Sequence, residues 1–214
     1  MNDCDGRLII VGAGSLGMEL ITWMIDSKIY NELNKRLYFI DDYADKDIHY
    51  NKINIKYLGK IDQYQPQKND NCYLAIANPK HKSHIVKILD EKKANFKSFI
   101  HPSVKISPTT KIGRGCIIFP FSICALNSKL NDFIMVNHYS VVGHDVFVDS
   151  FTTISSFVAL NGNVSIGEKV FIGCGAKFLP NVKIGDSTLI GAGSLICSSI
   201  PNNKTVYCQP AKIL

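Results

Sequence analysis

The chain has 214 residues, is 46% hydrophobic and 20% charged, and carries a formal net charge of +6. That balance excludes a disordered chain, and the length suffices for one large or two small domains with a buried core. No apolar run approaches the ~20 residues of a membrane-spanning helix, the acidic start Met1-Asn2-Asp3-Cys4-Asp5 lacks the apolar stretch of a secretion signal, and a cytoplasmic protein is expected.

Seven cysteines form an odd set without CxxC spacing, which favours reduced thiols over a disulfide framework or a zinc site. The positive charge comes without long basic runs and suits a small anionic substrate better than a nucleic acid. Charge density falls along the chain: residues 1–100 hold 28 charged side chains, residues 101–214 only 14. Two domains, 1–100 and 101–214, are expected to meet near Ile100-His101-Pro102-Ser103.

The first half alternates strands and helices. Arg7–Val11 reads as an apolar strand, followed by a glycine turn and a helix over Met18–Asp26. Leu37–Ile40 and Asn71–Ala77 read as further strands, and His81–Lys93 as a helix with Ile85, Ile88 and Leu89 on one face. This order predicts a small α/β domain of Rossmann type with a parallel sheet.

Gly12-Ala13-Gly14-Ser15-Leu16-Gly17 follows the first strand and opens the first helix. Glycines there let the backbone approach a diphosphate, and the helix N-terminus favours its charge. Asp41 lies near the ~20-residue separation expected of a ribose-binding acid. Read alone, this motif suggests an NAD site, with a purely structural glycine turn as the other reading.

The second half repeats every six residues. Steps of six from Ile106 to Ile196 visit sixteen positions, of which fourteen are Ile, Leu or Val, with Cys124 and Phe178 the exceptions. Chance would place about five there. The residue two places earlier is small, or β-branched and no larger than Val, everywhere except Ile134. Residues i and i+2 of a strand share a face, so each hexad sends one small and one large side chain inward and then turns a corner. Glycine follows the large residue at Gly113, Gly143, Gly167, Gly173, Gly185 and Gly191, where a tight corner that needs positive φ is expected. Three flat faces make one coil of a triangular prism, and the run predicts a parallel β-helix of about five coils with a short C-terminal tail.

His138 and His144 both fall two residues after a large inward residue and therefore sit at corners; His101 stands at the edge of the repeat. A corner histidine can be merely solvated. His144, however, is followed by Asp145, an acid able to orient an imidazole. A zinc hydratase on such a prism would need three converging histidines, for which only His101, His138 and His144 are available.

The hexads resemble the hexapeptide-repeat acyltransferase superfamily, whose prisms coil left-handed. In order, Ile9-Ile10-Val11-Gly12-Ala13-Gly14, Phe39-Ile40-Asp41-Asp42, Ala75-Ile76-Ala77-Asn78, Ile100-His101-Pro102-Ser103, Gly143-His144-Asp145, Gly162-Asn163-Val164 and Pro210-Ala211-Lys212 resemble the sialic acid O-acyltransferase-like family. That family includes bacterial enzymes that acetylate nucleotide-linked 4-amino-4,6-dideoxy sugars. The resemblance implies N-acetylation of the 4-amino group by acetyl-CoA, with His144 as general base, Asp145 as its helper and no metal. It implies a nucleotide-sugar held by Gly12, Gly14, Ser15, Leu16, Asp41, Asp42 and Ala77, with His138 a substrate contact; Leu16 stands where many relatives carry histidine. It implies a homotrimer in which coenzyme A lies between two prisms, against Thr153, Gly173, Cys174, Gly191 and Ala192. No nucleic acid or membrane partner is implied. The thiols show no paired base, so direct transfer is expected rather than an acyl-cysteine. O-acetylation of a sugar hydroxyl, and a non-catalytic trimeric scaffold that binds a nucleotide-sugar, are the other readings.

Overall fold

The structure, a computed structural model, describes residues 6–29, 36–44, 46–50 and 53–208. The ending Pro210-Ala211-Lys212 lies outside the described residues.

The N-terminal unit runs β1 (Leu8–Val11), α1 (Ser15–Asp26), β2 (Leu37–Ile40), β3 (Ile48–Tyr50), β4 (Ile53–Tyr57), β5 (Asn71–Leu74) and α2 (Pro79–Glu91). Its sheet has the order β3-β4-β2-β1-β5. β5, β1, β2 and β4 are parallel, and β3 adds an antiparallel edge. Strands β3 and β4 were not foreseen from sequence. All four residues of β1 are buried because both sheet faces are covered, which explains the uninterrupted apolar run Leu8–Val11. Leu8 and Ile10 pack with Leu20, Ile21 and Met24 of α1, and Ile9 and Val11 with Ile85, Val86 and Leu89 of α2.

β6 (Phe99–Ile100) is the first strand of the prism, pairing with Ile117–Ile118; solenoid pairing thus begins two residues before the expected division. The rest of the described chain forms two-residue strands on three parallel sheets of seven, six and five strands. Corner hydrogen bonds between residues eighteen apart, such as the Asp145-Asn127 pair, show three hexads to each coil. The large hexad residues fill one continuous core from Ile118 to Ile196. Ile106 departs from the pattern and is exposed, because only one neighbouring coil covers it. The inward hydroxyls of Ser122, Ser140 and Thr152 donate to the carbonyls of Asn137, Ser155 and Gly167. Small polar residues are therefore as suitable as Val at that position.

The expected role of the corner glycines is corrected. Gly113, Gly143, Gly167, Gly173, Gly185 and Gly191 do not have positive φ; that conformation falls two residues later. Glycine is needed because the next coil approaches too closely: a Cβ on Gly143 would lie 2.5 Å from the Leu160 carbonyl oxygen, and one on Gly173 2.5 Å from the Ala192 amide nitrogen. The positive-φ positions are mostly not glycine. At one corner they are Phe121, Tyr139 and Phe157, at the next Asn127, Asp145 and Asn163, at the third Phe133 and Phe151. A left-handed side-chain residue costs about 1–2 kcal/mol. Ring stacking at 5.1 Å (Phe121–Tyr139), 5.2 Å (Tyr139–Phe157) and 5.3 Å (Phe133–Phe151) returns a comparable amount. Asn and Asp tolerate the conformation intrinsically.

The three outer faces differ. The first, with Ile117, Met135 and Thr153 pointing outward, is covered by the N-terminal unit. The second presents Ile123, Val141 and Leu195 exposed. The third carries exposed Lys111, Lys129 and Lys183.

Candidate active site

His144 and Asp145 occupy the corner between the second and third faces. His144 Nδ1 lies 2.9 Å from Asp145 Oδ2, and Asp145 Oδ1 accepts from Asn127 Nδ2 at 3.1 Å. These two bonds, His144 first, hold the Asp145 carboxyl below its ordinary range. A carboxylate only accepts, so Nδ1 carries a proton, and in the neutral ring the lone pair is on Nε2. The left-handed Asp145 backbone (φ +57°) turns its side chain back toward the preceding coil, where Asn127 waits. Both side chains are well exposed, 59% for His144 and 43% for Asp145. The imidazole lies over Gly162 of the next coil, where a Cβ would come within 2.4 Å of Nε2. Asn127 was missed from sequence, although the coil period of eighteen places it beside Asp145.

The glycine loop builds a second site. Gly12 has φ +100°, Gly17 abuts the Gly12 carbonyl oxygen with no room for a Cβ, and Gly14 faces open space. Gly14 is the N-cap of α1 and offers no side-chain bond, whereas Asn78 caps α2 by accepting from the His81 amide. The first amides of α1, with exposed Ser15 at its start, are thus left without a side-chain cap. Gly12, Gly14, Asp41, Asp42, Ala75, Ile76, Tyr43 and His81 line a cavity of 160 Å³. It adjoins one of 380 Å³ that shares Asp42 and His81 and adds Lys60 and His84. Asp41 has a more local role than expected: it accepts from Ala13 N at 2.8 Å, Tyr43 N at 2.7 Å and Ala44 N at 3.2 Å, fastening its loop to the glycine turn. Asp42 accepts from Ile61 N. Leu16 packs partly on the α1 side of the core.

Two expectations change, and the geometry does not support the zinc alternative. His138 is not a free corner side chain: it stacks on Phe119 (centroids 5.0 Å apart) beneath Trp23 of α1. Its Nε2 is 3.5 Å from Glu19 Oε1, and burial lowers its pKa against the opposing pull of Glu19. Thr153 is 2% exposed; its hydroxyl donates to the Ala77 carbonyl at 2.7 Å and meets Lys82 Nζ at 2.9 Å, so it does not front an open groove. His101 is bonded to Asp26 and Ser103, and His144 stands on another corner, so the three histidines do not converge on a metal. Cys174 and Ala192 are exposed on consecutive coils at the corner between the first and second faces, beside Gly173 and Gly191. The Cys174 carbonyl accepts from Gly193 N at 2.8 Å.

The prism is a parallel solenoid of left-handed β-helix type, and its residues 163–198 match the family described as bacterial transferase hexapeptide (six repeats). Among solved structures, the chain is similar to the acetyltransferase domain of PglB from Neisseria gonorrhoeae FA1090 (27% identity, 98% of this chain and 100% of that one, TM-score 0.86). That domain has also been solved in complex with acetyl coenzyme A. WeeI from Acinetobacter baumannii AYE matches at 25% identity over 97% of this chain and 99% of its own, TM-score 0.85. PerB from Caulobacter crescentus, in complex with CoA and GDP-perosamine, shares the fold at 23% identity over 98% of each chain, TM-score 0.83.

Proposed function

We propose that the protein is an acetyl-CoA-dependent N-acetyltransferase acting on the 4-amino group of a nucleotide-linked 4-amino-4,6-dideoxy sugar. The observation that carries this is the His144–Asp145–Asn127 corner, which engages Nδ1 and leaves Nε2 of an exposed imidazole without a side-chain partner among the described residues, on a fold shared with an acetyltransferase domain solved with acetyl-CoA. His144 takes a proton from the acceptor amine as its nitrogen attacks the thioester carbonyl. The N–C bond forms, the C–S bond breaks, and coenzyme A departs as the thiol. Residues 1–100 are read as a Rossmann-like nucleotide-sugar domain and residues 101–214 as a left-handed prism of about five coils.

The glycine loop, Asp42 and the Ala75–Asn78 loop hold the nucleotide-sugar. Coenzyme A lies along Gly173, Cys174, Gly191 and Ala192. A homotrimer completes the site, which two observations support. His144 sits on the prism corner opposite the face that carries the N-terminal unit, so one chain alone keeps its base far from its own glycine loop. The second face, where exposed Ile123, Val141 and Leu195 stand in one row with Lys105 and Lys177, offers apolar surface to bury. A cytoplasmic location belongs to the same reading; among the described residues no helix is long and apolar enough to cross a membrane.

The test is thiol release from acetyl-CoA with a panel of GDP-, UDP-, dTDP- and CMP-linked amino sugars, with product mass as readout. Thiol release and a gain of one acetyl group on the amine support the assignment. Turnover only with hydroxyl acceptors would replace it with O-acetylation, and nucleotide-sugar binding without turnover would replace it with a scaffold.

A further inference from the structure

Lys82 lies on the face of α2 that carries Ile85, Val86 and Leu89, and it is as buried as they are. No carboxylate meets it among the described residues. Its Nζ instead points at three oxygens of the prism: the Phe133 carbonyl at 3.1 Å, the Thr152 carbonyl at 3.3 Å and Thr153 Oγ1 at 2.9 Å. An ammonium has three N–H groups, and these account for all of them. The Thr153 hydroxyl has one proton, which goes to the Ala77 carbonyl at 2.7 Å; toward Lys82 it can only accept. The chain of donation therefore runs one way, from Lys82 to Thr153 to Ala77.

Ala77 belongs to the segment between β5 and α2, where Ala75 and Ile76 line the cavity beside the glycine loop. Burying a lysine without a countercharge is costly, and a Met or Leu would fill such a site more stably. What the ammonium supplies in exchange is direction: carbonyls of one prism corner and a loop of the N-terminal unit are held in one geometry.

We propose that Lys82, acting through Thr153, is a positioning residue for the nucleotide-sugar: it fastens the Ala75–Asn78 loop to the prism and fixes the wall against which that substrate binds. The inference rests on the proposed use of the cavity, and its role is distinct from that of the His144 base.

The test compares Lys82→Met, Thr153→Val and Thr153→Ser with the wild-type enzyme. Lys82→Met and Thr153→Val are expected to raise KM for the nucleotide-sugar about tenfold, the equivalent of one lost hydrogen bond. KM for acetyl-CoA and kcat should stay within about twofold. Thr153→Ser keeps the hydroxyl and should restore wild-type KM. A rise in both KM values, or a fall in kcat alone, would overturn the positioning role, as would a nucleotide-sugar KM unchanged in Thr153→Val. Should Lys82→Met fail to fold, the Thr153 pair decides the matter. Amide hydrogen exchange of peptides spanning residues 75–81 needs no substrate. Faster exchange in Thr153→Val supports the fastening, and unchanged exchange refutes it even where no nucleotide-sugar is turned over.

Discussion

His144 rests on Gly162: the imidazole occupies the space that a Cβ at residue 162 would take, 2.4 Å from both Cε1 and Nε2. The catalytic candidate is thus positioned by a missing side chain as well as by Asp145. Gly162→Ala should fold normally, because an exposed ring can swing aside. It should displace Nε2 and lower kcat while leaving both KM values near wild type. His144→Ala should lower kcat by ~10²–10⁴-fold, and Asp145→Asn by less, since it weakens the orientation of the base without deleting it. Steady-state kinetics on the purified variants check the order. Turnover near wild type in His144→Ala would end its assignment as base.

The glycine loop allows a contrast between two neighbours. Gly14 has ordinary φ and no heavy atom within 4 Å of the place a Cβ would take, whereas Gly17 abuts the Gly12 carbonyl. Gly14→Val should leave Tm nearly unchanged and raise KM for the nucleotide-sugar much more than that for acetyl-CoA. Gly17→Ala should lower Tm, because strand and helix must separate to admit the methyl group. Thermal unfolding beside kinetics distinguishes them; a wild-type KM in Gly14→Val would remove the loop from the binding site.

Burial pushes the Lys82 ammonium down from 10.5 to about 7, with Cys116 opposing weakly. Between those values the unfolded chain binds one more proton than the folded one, so stability rises with pH. The cost of the buried charge is present in full below about pH 7 and is relieved progressively as pH climbs from there toward 10.5. Wild-type unfolding free energy should rise by about 1 kcal/mol per pH unit between pH 7.5 and 9.5 from this group. Denaturant titrations across that range should show the slope missing in Lys82→Met; an identical slope would mean that Lys82 titrates normally.

The second face of the prism presents Val141 at 38% exposure between Ile123 and Ala159. Val141→Asp should leave the prism core intact, since Val142 rather than Val141 points inward, but should prevent self-association. Sedimentation should report a trimer for the wild type and a monomer for the variant, with acetyl-CoA turnover lost. A monomeric, active wild type would refute the oligomeric site.

The prism was legible because its period is short and strict. A two-residue strand and a corner every six residues admit one inward set, and the composition of that set is visible without coordinates. The His144–Asp145 pair was legible for the same reason, being adjacent in sequence and fixed at a corner by the count. The glycine loop could be read from its place between an apolar strand and a helix. The fates of Thr153 and His138 could not. Both stand at ordinary repeat positions, and only the docking of α1 and α2 onto one of three equivalent faces buries them. Lys82 belonged by sequence to a charged helix, and its spacing from Ile85, Val86 and Leu89 was the sole hint that it faced inward. The role of the corner glycines also needed coordinates: chain direction alone cannot show whether glycine serves a left-handed turn or yields space to the coil beside it. Local periodicity determined which residues face the core. Which outer face is covered, and by what, was decided by long-range packing between halves that share no repeat.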